Sequence, residues 1–130
     1  MRISSLSLLA AALALAACDG GTGSRPAGGE YIVTLESPNG HEGAAILEMT
    51  DQGVESVTAS AAALFRNRIS GGYRLVLVRE PAGPLQFRIR LAEGNDFPDV
   101  RVIEVVDGQD QRRPSVEGYQ VSFTRTRGNE

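Results

Sequence analysis

The chain has 130 residues and a formal net charge of −3, with 13 basic and 16 acidic side chains. Every basic residue is Arg, and the acidic balance lacks the basic footprint of nucleic-acid binders, so no nucleic-acid partner is expected. One cysteine excludes an intramolecular disulfide, so a single small domain must rely on its own core.

The amino terminus carries an address. Arg2 gives a short positive segment, and Leu6–Ala17 is an uncharged run of mostly Leu and Ala. That run is shorter than the roughly 20 apolar residues that cross a bilayer core. Its length and small-residue end predict an export signal over residues 1–17, removed on maturation. Leu15-Ala16-Ala17-Cys18 resembles the lipobox of bacterial lipoproteins. The resemblance implies lipid transfer to the Cys18 thiol, cleavage before it, and acylation of the new amine. An ordinary apolar signal with a chance cysteine is the competing reading. Two or more acyl chains hold a protein stably on a membrane, at roughly 0.8 kcal/mol per buried methylene. The expected location is the cell membrane, lipid-anchored on its periplasmic side. Asp19 leans that expectation towards the inner membrane.

Residues 18–29 continue as the anchor cysteine and DGGTGSRPAGG, a Gly-rich stretch without apolar periodicity that predicts a flexible tether. From residue 30 to 127 the pattern changes to short apolar runs of period two, cut by Gly and Pro. Tyr31–Glu36 places Tyr31, Val33 and Leu35 on one face, and Ser37-Pro38-Asn39-Gly40 is a turn. Ala44–Met49 and Val54–Thr58 are further strand candidates. The Ala61-Ala62-Ala63 run within Ser60–Leu64 is too short for a stable helix and reads as a loop or one turn. Leu64–Ile69 and Tyr73–Arg79 flank Ser70-Gly71-Gly72, a tight hairpin signal. Leu85–Leu91 alternates, with Leu85, Phe87, Ile89 and Leu91 inward and Gln86, Arg88 and Arg90 outward. Val100–Val106 is nearly continuous Val and Ile, as for a strand covered on both sides. Tyr119–Thr126 alternates again, with Tyr119, Val121 and Phe123 inward. About eight strands and no helix predict an all-β fold, a single jelly-roll-like β-sandwich.

Four segments in succession carry a second resemblance: Gly43–Met49, Gly53–Val57, Gly72–Val78 and Gly83–Ile89. Their strand chemistry is similar to the middle of cohesin-like β-sandwich modules. The resemblance implies a jelly-roll-like sandwich used for protein attachment. The Tyr-Asp-Pro turn of that family is replaced by Met49-Thr50-Asp51-Gln52-Gly53, so no dockerin-binding role is carried over.

Candidate chemistry is sparse. His41, the sole histidine, lies in a turn without a nucleophile elbow or further His or Cys ligands, and reads as an exposed turn residue. Glu93, Asp96 and Asp99 form one acidic loop, and Asp107 and Asp110 another. If the two loops met, they would offer a calcium site; turn formation explains the same residues. Residues 64–91 hold six arginines and one acid, Glu80. Were their strands neighbours, Arg74, Arg88 and Arg90 would share one face for an anionic partner, the Arg fork suiting carboxylate, phosphate or sulfate. The alternative is a solvated face with Glu48, Glu55 or Glu104 across the strands.

These readings lead to a non-enzymatic, lipid-anchored binding or scaffold module at the cell envelope, its partner an envelope protein or polysaccharide, with no cofactor. The second reading is a periplasmic domain holding a metal or small anion in its loops. The third is an enzyme whose site is not visible in the sequence.

Overall fold

The computed structural model describes residues 26–127; the export signal, Cys18 and most of the tether stretch lie outside the described residues. Eight strands follow one another: β1 (Gly29–Glu36), β2 (Glu42–Thr50), β3 (Val54–Ala59), β4 (Ala63–Ile69), β5 (Gly72–Gly83), β6 (Gln86–Leu91), β7 (Val100–Val106) and β8 (Gln120–Arg125). Each sits where the alternation of apolar and polar residues places it, because one face of every strand has water to avoid. No described residue is helical, and residues 60–62 bend directly into β4. The first strand begins at Gly29, two residues before the first aromatic, since the Tyr31 hydroxyl donates to the Ala27 carbonyl and holds the approach in place.

The strands form two four-stranded antiparallel sheets, sheet A in the order β3-β6-β1-β8 and sheet B in the order β4-β5-β2-β7. The architecture is a β-sandwich, jelly-roll-like in the way the chain alternates between layers. Only β4 and β5 are consecutive and paired, joined at Ser70-Gly71, where Gly71 has φ +76°. That left-handed backbone is open to glycine at little steric cost. The next residue must also be glycine, because a Cβ on Gly72 would run into the Met49 carbonyl of β2.

The core is the layer between the sheets. Sheet A gives Tyr31, Val33, Phe87, Ile89 and Leu91; sheet B gives Ala45, Leu47, Met49, Leu75, Leu77 and Val105. Leu85 enters from the β5–β6 connection. Tyr119, Val121 and Phe123 are partly buried and pack against this cluster. One open end is plugged by Phe97, whose ring stacks on Phe123 at 4.4 Å and meets Tyr31 edge-on at 5.0 Å.

Strand β7 differs from its reading. It is an edge strand, covered on its inner side only, and Ile103 remains 38% exposed. Its nearly continuous Val/Ile run has two causes. A bulge sets Ile46 opposite Glu104 and Leu47 opposite Val102, leaving Ile103 as the extra outward residue. The outer face of sheet B, to which Ile103 and Val106 belong, is itself apolar.

Replacing Phe87 by Ala is expected to lower stability by about 3–5 kcal/mol, seen as a fall in the urea midpoint. A loss below about 1 kcal/mol would show that its site collapses or was never close-packed.

Candidate functional site

The three arginines considered as one anion-binding face do not come together. Arg74 lies on β5 in sheet B, while Arg88 and Arg90 lie on β6 in sheet A. The chain changes layers between these strands, so their outward residues point in opposite directions. Each arginine is also engaged. Arg74 and Arg101 grip the two oxygens of Glu48, each at 2.7 Å. Arg88 binds Glu30 at 2.9 Å, with Arg90 at 3.8 Å from the other oxygen. Hydrogen bonds from Arg74 first, then Arg101, hold the Glu48 carboxyl below its ordinary value. These are cross-strand ion pairs on solvated faces, as the alternative reading had it for Glu48.

Nor do the acidic loops meet. The loop with Glu93, Asp96 and Asp99 lies at the end where β2 finishes, its Asp99 amide donating to Thr50 Oγ1 at 2.9 Å. Asp107 lies at the other end, its carbonyl against Gly43 near the start of β2. The Asp107 carboxylate accepts from the Gln111 and Gln109 amides at 3.0 and 2.8 Å, which lowers its pKa and folds its own turn. Among the described residues no group of His, Cys, Asp and Glu has the arrangement of a metal site. His41 is exposed in the β1–β2 turn.

Two features were missed from sequence. The first is Glu42, 2% exposed. One carboxylate oxygen accepts from Ser37 Oγ at 2.7 Å and from the Tyr119 hydroxyl at 2.9 Å; the other accepts from Arg113 Nε at 3.2 Å. Asn39 Nδ2 donates to the same Tyr119 oxygen at 3.0 Å. The bond to Glu42 raises the Arg113 pKa and keeps the guanidinium charged. Simple alternation would send Glu42 outward with Ala44, Ile46 and Glu48. The bulge between Glu42 and Ala44 turns it inward instead. With both oxygens bonded, this carboxylate fastens the β1–β2 turn and the 107–119 segment onto the sandwich. It is a clamp, and a buried charge is tolerable there because it is paired and hydrogen-bonded.

The second feature is the outer face of sheet B. Register places Phe65, Val76 and Ile46 in one row across β4, β5 and β2, ending on β7 at Ile103 and Glu104. The neighbouring row is Ala63, Val78, Ala44 and Val106. Phe65 is 62% exposed and Val78 40%. The next row is Asn67, Arg74, Glu48 and Arg101, a charged border. Beside it an open groove of about 300 Å³ is lined by Met49, Ile69, Glu48 and Arg101, the last two already paired. The outer face of sheet A has the opposite character. There Ile32 is flanked by Thr58, Thr124 and Arg88, next to Thr34, Gln86 and Ser122. One outer face is thus largely apolar and the other polar, and an exposed apolar patch of this kind is a candidate interaction surface. Each strand carries its outward valine, isoleucine or alanine singly, and only the strand order aligns them into a face.

Glu42→Ala is expected to cost about 3 kcal/mol by taking from Arg113 and from the Ser37 and Tyr119 hydroxyls the acceptor they share, measured by urea unfolding. The Glu48 contribution has a pH signature. Its folded pKa is depressed, so the stabilisation is complete above the ordinary value of 4.5 and is lost as pH falls through the folded value. The drop in urea midpoint from pH 7 to pH 3 should therefore be smaller in Glu48→Gln than in the parent; an unchanged drop contradicts the pairing. Compared with family models, curated proteins and solved structures, the chain matches none.

Proposed function

We propose that this chain is an envelope lipoprotein, anchored through lipid on Cys18, whose β-sandwich serves as a non-enzymatic binding or scaffold module. The observation that carries the binding role is the apolar outer face of sheet B beside the polar outer face of sheet A. Two side chains there, Phe65 and Val78, meet water over much of their surface in the free domain. Covering such a surface is favourable at roughly 25 cal/mol per Å² of apolar area. An apolar sheet with an Arg-Glu-Arg border suits a protein partner better than a polysaccharide, because it offers few unengaged polar groups.

The anchor reading rests on residues 1–18, with the small-residue lipobox pattern before Cys18. The geometry of the domain agrees with it. The start of β1 and the end of β8 lie together, the Thr126 amide donating to the Glu30 carbonyl at 3.0 Å. An anchor ahead of β1 therefore attaches at one end of the sandwich and leaves both outer faces open at its sides. No described helix is long and apolar enough to cross a membrane. The strand pattern similar to cohesin-like modules accords with an attachment role. The reading of a metal or anion held in loops has no such support, since the acidic loops lie at opposite ends and the arginines are paired apart.

Membrane fractionation with radiolabelled palmitate tests the anchor. The parent chain is expected in the membrane fraction carrying label, and Cys18→Ser in the soluble fraction without it. Equal labelling and membrane retention of Cys18→Ser would overturn the anchor.

A further inference from the structure

We infer that the outer face of sheet B docks onto the same face of a second copy of this chain, through a two-fold axis lying across the strands. The inference names the partner of the proposed binding face and rests on that reading. Two observations favour a second copy, and the area of the face sets how tightly it is held.

The first is shape. One row is bulky (Phe65, Val76, Ile46, then Ile103 beside Glu104 on the edge strand) and its neighbour is slimmer (Ala63, Val78, Ala44, Val106). A two-fold axis across the strands exchanges the rows, so Phe65 meets Ala63 of the second copy and Ile46 meets Ala44 of the second copy. A two-fold axis along the strands would set bulky row on bulky row and hold the slim rows apart. Close packing favours the first arrangement.

The second is charge. Along β5 the face runs from Arg74 at one border through Val76 and Val78 to the exposed Glu80, which lies past the last residue of continuous pairing, where the register with β2 shifts. Arg79 points the other way, its guanidinium bonded to the Pro84 carbonyl at 2.6 Å. Glu80 is exposed and has no ion pair among the described residues. The same axis sets Arg74 against Glu80 of the second copy, twice over, and opposite charges across an interface fix its register.

The area decides the strength. Four strands about 4.8 Å apart, with outward residues about 6.8 Å apart along each, give roughly 500 Å² per copy. A stable interface takes about 800 Å² per partner. The pair is therefore weak and exchanging, and needs covalent capture to be seen.

The test uses the full chain in the cells that export it, with the photo-cross-linker benzoylphenylalanine placed singly at Phe65, Ile103, Thr58 or Thr124. A band at twice the chain's mass is expected from Phe65 and Ile103, and none from Thr58 and Thr124 on sheet A. Peptide mapping of the Phe65 product should find residues 63–65 of the second copy. Glu80→Arg should lower the Phe65 yield at least tenfold, and adding Arg74→Glu should restore it. A Phe65 product joined to a different protein overturns the second copy while leaving the binding face. No product from any position overturns both. Equal products from the two faces, or a yield indifferent to Glu80→Arg, overturn the proposed docking.

Discussion

The structure depends on one constraint: six of its seven connections cross from one sheet to the other. Successive strands therefore contribute their buried halves to a single shared layer. Neither sheet can be completed from one stretch of chain. Val33 and Phe87 close against Leu47 and Leu75 only when segments from the whole chain are present. Most of the fold is thus non-local, and a chain of this topology folds more slowly than a helical one of similar length. The Glu42 clamp serves the same constraint, fastening the long 107–119 connection back onto the strands it bridges.

Much of this was legible along the chain. Leu85 to Leu91 alternates so cleanly that inside and outside were assigned correctly, and Ser70-Gly71-Gly72 marked the one true hairpin. These are local signals, fixed by strand period and turn stereochemistry. What was not legible is what pairing decides. Arg74 and Arg88 are close in sequence and both point outward, yet they belong to different layers. Glu42 turns inward because a bulge shifts its register, and the one signal for it is Gly43, a glycine inside the strand pressed against the Asp107 carbonyl. The Val/Ile run of β7 carried a true apolar signal with two possible causes, burial on both sides or membership of an apolar outer surface. Only strand order separates them.

The two outer faces differ in character, and the proposed function rests on that difference. On sheet A, Glu30, Arg88 and Arg90 form the exposed ion pairs usual on solvated sheets, worth little individually. On sheet B, the Arg74–Glu48–Arg101 cluster borders two apolar rows that span all four strands. At that border both arginines share one carboxylate, while Phe65 and Ile103 stay in water. Under the proposed anchoring ahead of β1, such a surface faces sideways, towards whatever shares the membrane.

The most direct measurement is hydroxyl-radical footprinting of the full chain in its native envelope and after detergent dilution. In the envelope, oxidation of Phe65, Val78 and Ile103 should fall, with Ile32 on sheet A unchanged. Equal oxidation of the sheet B residues in both conditions would contradict the claim that this face is covered in use.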